Sequence, residues 1–171
     1  MVRSAVALGA NLGHPAATLQ SALRELGRSG AVAAVSPLYV TAPVGGPPGQ
    51  PDYLNQVVLL TVSPHVPAAA LLAELHLIEA RHGRKRTEHW GARTLDLDLL
   101  WFGNTTSAQP HLHVPHPRMH ERAFVLVPLL AALATAGWAW EHPLLGVGAS
   151  ELLAALSASE LRDVRIASAS F

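Results

Sequence analysis

Apolar residues at positions 16, 19, 22, 23 and 26 recur at the period of a helix, so an amphipathic helix is predicted over 16–26. Residues 2–8 before it read as a strand, and "GANLGHP" as the turn between the two. A second extended segment is predicted over 31–40. Residues 41–53, "TAPVGGPPGQPDY", hold four prolines and three glycines, too irregular for helix or strand. A strand follows over 54–62. A second helix is predicted over about 68–81, with Leu71, Leu72, Leu75 and Ile78 on one face. Residues 94–102, "TLDLDLLWF", return to a strand pattern, and "GNTTSAQP" turns again. A last helix is predicted over 151–161. Strands alternating with helices through hairpin-length turns predict an α+β sandwich rather than a parallel sheet. With no internal repeat and no linker, residues 1–171 are expected to form a single domain.

One segment tests the membrane alternative. Residues 123–140, "AFVLVPLLAALATAGWAW", carry no charge, and a spanning helix needs about 20 apolar residues. Pro128, Thr135 and Gly137 interrupt the run, so a buried strand leading into a core helix is expected instead.

The strand over 94–102 carries two carboxylates. Alternate side chains of a strand face opposite ways, so Thr94, Asp96 and Asp98 share one face and Leu95, Leu97 and Leu99 the other. The two aspartates then lie about 6.5 Å apart along the strand. Like charges so close raise each other's pKa unless a cation intervenes. Hard oxygen ligands on a strand suit Mg²⁺ completed by water and phosphate oxygens; the alternative is a polar strand face that is simply wet.

The preceding segment changes the balance. Residues 82–93, "HGRKRTEHWGAR", are densely basic, with Arg84, Lys85, Arg86 and Arg93 just ahead of the aspartates. Guanidinium groups clamping phosphate oxygens opposite a metal pair make a polyphosphate site. Trp90 either closes over a ligand or anchors the loop.

Composition narrows the rest. Half of the 171 residues are hydrophobic and 14% are charged, which favours a folded globule over disorder. Twelve basic residues balance twelve acidic ones, so net charge points to neither nucleic acid nor an anionic membrane. The absence of cysteine excludes thiolate chemistry. The run "MVRSAVALGANLG" is broken by Gly9 and Asn11 and is too short for a signal-peptide core, so a cytoplasmic protein is expected. His111, His113, His116 and His120 raise zinc as an alternative, but their spacing matches no compact zinc signature. His116 and Arg122 read instead as further phosphate donors. Tyr53 offers an aromatic face and Asn55 both a donor and an acceptor, which suits a flat heterocycle with amide and amino groups; an ordinary loop entering a strand is the alternative.

Together the blocks "ALGANLG", "SPLYVTAPVG…QPDYLNQVV", "IEARHGRKR", "WGARTLDLDLLWFGN" and "VPHPRMHERAFVLVPL" resemble the 6-hydroxymethyl-7,8-dihydropterin pyrophosphokinase family, up to about residue 135. The resemblance implies a ferredoxin-like α+β fold and transfer of pyrophosphate from ATP to the pterin's hydroxymethyl oxygen, with AMP leaving. It implies two Mg²⁺ ions on Asp96 and Asp98, and Arg84 and Arg93 as catalytic charges. It places the nucleotide against Glu79, Arg84, Arg86, Trp90, Arg93, Leu99, His113, His116 and Arg122, with the adenine on backbone near Leu99 and His113. It places the pterin against Thr41, Ala42, Pro43, Val44, Tyr53, Asn55, Trp90 and Phe124, and it leans towards a monomer. A sugar-nucleotide transferase using D-x-D, a non-catalytic binding module and a zinc hydrolase are the alternatives.

Overall fold

Strands β1 (Val2–Ala10) and β4 (Tyr53–Val62) bury side chains on both faces, a pattern that only a sheet covered on both sides can use. A computed structural model describes residues 1–84 and 92–168. In chain order it adds helix α1 (Pro15–Ser29), strands β2 (Ala31–Val35) and β3 (Tyr39–Thr41), helix α2 (Ala68–Arg81) and strand β5 (Asp96–Phe102). The hairpin of β6 (Ser107–Gln109) and β7 (Leu112–Val114) follows, then helix α3 (Ala123–Ala136), the short helices α4 (Ala149–Ala154) and α5 (Ala158–Arg162), and strand β8 (Val164–Ile166).

The main sheet is antiparallel, in the order β5-β1-β4-β3-β8, and β2 shares with β3 the same edge of β4. Leu19, Ala22 and Leu26 of α1 and Leu71, Leu75 and Ile78 of α2 cover one face, against Val6, Leu8, Val58 and Leu60. Val125, Leu126, Leu129 and Leu133 of α3 cover the other, against Ala5, Val57, Leu59 and Trp101. The result is a three-layer α+β sandwich. Among the described residues no helix is long and apolar enough to cross a membrane.

A bulge in β5 sets which residues meet α3. The pairing with β1 shifts so that Val6 faces Leu99 and Ala5 faces Trp101, leaving Leu100 over. Leu97 and Leu99 pack under α1 and α2, while Leu100 and Trp101 join α3. Strict alternation would have sent Trp101 the other way.

Several element boundaries differ from the sequence pattern for identifiable reasons. Gly9 and Ala10 belong to β1 rather than to a turn, because β4 and β5 pair with Gly9 on both sides. The extended segment 31–40 divides at Ser36-Pro37. The Ser36 hydroxyl accepts the Val57 N–H at 3.0 Å and holds the break in place. Residues 123–136 are helical from the start, with no strand before them. Pro128 costs one intrahelical bond, which burial of Val125, Leu126, Leu129 and Leu133 offsets; Gly137, at φ +64°, ends the helix. The segment 151–161 is two helices, because Ser157 and Glu160 cap each other and start α5 afresh. Thr94 and Leu95 precede β5, which begins at Asp96.

Candidate active site

The α3 face of the sheet is not covered along its whole length. Beyond the first turn of α3 lies a cavity of about 350 Å³, floored by Ala7 and Gly9 of β1. These two and Ala5 are small residues at alternate positions of one strand. Gly9 is paired with Asn55 on one side and Asp96 on the other. A Cβ on Gly9 would stand 3.1 Å from Asn55 Oδ1 and 4.0 Å from the Cβ of Asp96. The missing side chain therefore leaves the floor open between them.

One half of the cavity is polar and aromatic. Asn55 Nδ2 donates to Thr41 Oγ1 at 2.7 Å, and both side chains are buried. Tyr53 and Phe124 contribute rings, and Ala42, Pro43 and Val44 form the rim. Burial raises the Tyr53 pKa, so the ring keeps its phenolic proton at neutral pH.

The other half is charged. Asp96 and Asp98 project from β5, with Arg93, His116, Arg118 and Arg122 around them. Asp96 is ion-paired to Arg93 and, at 2.6 Å, to Arg84. Arg84 also pairs with Glu79, which is only 2% exposed and accepts the Leu97 N–H at 2.8 Å. This ties the end of α2 to the start of β5. Asn11 braces the segment before β5: its Oδ1 accepts the Arg93 N–H at 2.8 Å, and its Nδ2 donates to the Pro51 carbonyl at 3.0 Å.

Among the described residues no arginine is ion-paired to Asp98. Burial, then the charge of Asp96, pushes its pKa up to about 7, while Arg122 and Arg93 oppose the shift. Its side chain keeps 37% of its surface open to the cavity, so cleft water moderates the effect. His116 Nε2 lies 3.8 Å from Asp98 Oδ2. The Arg118 N–H donates to His116 Nδ1 at 3.2 Å, which leaves the ring proton on Nε2, facing Asp98. Burial, then the Arg122 charge, lowers the His116 pKa to about 4 and keeps the ring neutral. Arg122 precedes α3, its guanidinium 5.5 Å from the Phe124 ring centre.

The cavity thus brings together Thr41, Ala42, Pro43, Val44, Tyr53, Asn55 and Phe124 with Arg93, Asp96, Asp98, His116 and Arg122. Glu79 and Arg84 stand behind Asp96. Leu99 is buried in the core, and His113 is exposed on β7. Arg86 and Trp90 lie outside the described residues. Gly9 and Arg118 line the cavity but were not among the sequence candidates. The spacing of small residues at 5, 7 and 9 was the available signal for Gly9. The four clustered histidines do not converge: His116 faces Asp98, His120 stacks edge-on against His142 at 5.7 Å, and His111 and His113 are exposed.

Fold and cleft together define an α+β domain with the parts of a phosphoryl-transfer site: paired carboxylates, arginines and an adjoining aromatic pocket. The family model described as 7,8-dihydro-6-hydroxymethylpterin-pyrophosphokinase matches residues 5–134, and the chain belongs to that family. It is similar to the 2-amino-4-hydroxy-6-hydroxymethyldihydropteridine pyrophosphokinase of Pseudomonas aeruginosa, 45% identical over 126 residues, covering 72% of this chain and 76% of the relative. The Haemophilus influenzae protein of the same name is 40% identical over 131 residues, covering 75% and 80%. In fold it resembles the ferredoxin-like part of Plasmodium falciparum HPPK-DHPS, with a TM-score of 0.64 at 14% identity. That likeness covers 90% of this chain but 43% of the larger protein.

Proposed function

We propose that the protein transfers pyrophosphate from ATP to the hydroxymethyl oxygen of 6-hydroxymethyl-7,8-dihydropterin, releasing AMP in a step of tetrahydrofolate biosynthesis. The observation that carries this is the sharing of one cavity by the Thr41–Asn55 polar pocket and the Asp96–Asp98 platform, in a chain of this family.

The pocket has complementary chemistry for the pterin. Thr41 Oγ1 accepts the Asn55 N–H, so its own hydroxyl proton is available to a ligand acceptor. Asn55 Oδ1, on the Gly9 side, accepts an amino or amide proton, while Tyr53 and Phe124 offer ring faces.

The residues also fit a hard divalent cation. Asp98 is a carboxylate whose pKa is raised partly by Asp96, a repulsion that a cation would relieve. Asp96 and Asp98 would hold two Mg²⁺ ions. Among the described residues no three His, Asp or Glu side chains form a metal cluster, so remaining ligands would be phosphate and water oxygens. When bound, Mg²⁺ supplies Lewis acidity towards the phosphates.

The chain's own groups do the rest. The pterin oxygen attacks the β-phosphorus in line; that O–P bond forms as the bridge to the α-phosphate breaks and AMP departs with the bridging oxygen. Asp98, in the same cavity as the pterin pocket, helps to take the hydroxyl proton. Arg93, Arg122 and the Nε2–H of His116 neutralise charge on the transferred group, with Arg84 held behind Asp96. Glu79, Leu99, His113, Arg86 and Trp90 complete the nucleotide side in this reading.

Residues 1–171 act as one pyrophosphokinase domain in this account. The test is a product assay with protein, Mg²⁺, ATP and the hydroxymethyl dihydropterin. AMP is expected in step with the pterin diphosphate. ADP as product, or AMP formed without pterin, would overturn the proposal.

A further inference from the structure

Residues beyond 134 lie outside the family match, yet β8 returns to pair with the strand that carries Thr41. Val164 faces Thr41, Arg165 faces Val40 and Ile166 faces Tyr39. The Ala167 N–H donates to the Leu38 carbonyl at 2.8 Å. In an antiparallel pair such bonds recur at every second residue, so the Arg165 N–H also points at β3. The Arg165 side chain then reaches Asp52, 3.5 Å away, on the far stem of the loop that follows β3. In this way β8 holds both ends of the loop 42–52.

Among the described residues the loop's other ties include the Asn11 bond to the Pro51 carbonyl and the bond of 3.2 Å from Gln50 Nε2 to the Pro47 carbonyl. β3 is three residues long, and Gly45, Gly46 and Gly49 all adopt positive φ. β8 adds little to the core: Ile166 is 68% exposed, and Arg165 is exposed too. Its effect falls on what it pairs with. Thr41, Ala42, Pro43 and Val44 line the cavity immediately after that pairing. A rim ordered before the ligand arrives lowers the entropy cost of binding.

We propose that β8 is a positioning element for the pterin half of the site, holding Thr41 and the rim through β3. The phosphate half stands on other elements, with Asp96 and Asp98 on β5 and Arg122 just before α3. The proposal rests on the pocket being the pterin pocket.

Arg165→Pro removes the central N–H while burying and exposing little. Its binding of 6-hydroxymethyl-7,8-dihydropterin, with Mg²⁺ and a non-hydrolysable ATP analogue present, is measured by calorimetry beside that of the analogue alone. The pterin Kd is expected to rise about tenfold and the analogue Kd to stay within about twofold. In turnover, the pterin KM rises while kcat is kept. Arg165→Ala keeps the backbone bond and loses only an exposed ion pair, so its pterin Kd is expected to change less than about threefold. An unchanged pterin Kd in Arg165→Pro, or an equal loss of both ligands, overturns the proposal. If Arg165→Pro shows no thermal transition, Ala167→Pro, which removes only the bond to Leu38, is judged by the same split, with about a threefold rise expected. Failure of the unaltered protein to bind the pterin would instead sink the functional reading, so the two failures are distinct.

Discussion

Arg93 is ion-paired to Asp96, and Arg84 takes the other oxygen of the same carboxylate. Two arginines proposed to meet phosphate thus sit on a residue proposed to meet metal. A cation binding at Asp96 competes with them, and a phosphate arriving with it gives them a new partner. Arg93→Ala should therefore tighten Mg²⁺ binding in the absence of ATP, by about threefold to tenfold for the loss of one partly exposed pair. The same variant should lose about 10²-fold or more in kcat/KM, because the charge on the transferred group loses a donor. Calorimetric Mg²⁺ titration and steady-state assay check the two halves. Weaker Mg²⁺ binding in the variant would show that Arg93 does not compete for the site.

The raised pKa of Asp98 has a pH consequence. Its carboxyl titrates at about 7 in the folded chain and near 3.8 when unfolded, so the folded state binds the proton more tightly between these values. Ionisation therefore costs stability progressively as pH rises from about 4 through 7. Without Mg²⁺, Asp98→Asn should raise the Tm, and by more at pH 8 than at pH 5. With the side chain 37% exposed, cleft water limits the gain to a few °C. Thermal denaturation at the two pH values decides it; a variant less stable than the parent at pH 8 would contradict the electrostatic account.

What was legible in the sequence depended on period and local chemistry. Helix α2 was read with its observed bounds, because Leu71, Leu75 and Ile78 mark its face plainly. The two faces of β5 were legible as far as Leu99, where alternation holds, and became illegible at the bulge, which β1 imposes from the far end of the chain segment that joins them. (Val6 and Leu99 cannot announce their pairing locally, and neither can Leu100 announce that it is left over.) The carboxylates, arginines and Thr41–Asn55 pocket were visible as residue types. That Arg84 and Arg93 would rest on Asp96 was not, since it depends on how α2 and β5 meet. Gly9 looked like turn punctuation because its strand role appears only when β4 and β5 flank it.

Gly9 carries a specific expectation. Its φ is not in the left-handed region, so alanine is tolerated by the backbone, but the added Cβ comes within 3.1 Å of Asn55 Oδ1. Asn55 must then shift, and its bond to Thr41 at 2.7 Å shifts with it. Gly9→Ala should raise the pterin KM about tenfold while moving the ATP KM by less than about twofold. Steady-state assays with each substrate varied in turn measure the split. An unchanged pterin KM would mean that the pocket floor lies elsewhere.

Glu79 separates support from contact. Its carboxylate is buried, accepts the Leu97 N–H and pairs with Arg84, so truncation strands the Leu97 N–H and leaves Arg84 to Asp96. Glu79→Ala should destabilise the fold by about 2–4 kcal/mol, measured by urea unfolding, because a buried N–H loses its acceptor and a buried ion pair is broken. Glu79→Gln keeps an acceptor for Leu97 and removes only the charge. It should recover a substantial part of that loss, while leaving Arg84 free to bear more fully on Asp96. Mg²⁺ binding without ATP should consequently weaken in Glu79→Gln, opposite in sign to Arg93→Ala. If both variants shifted Mg²⁺ affinity the same way, competition between arginine and cation at Asp96 would not be the cause.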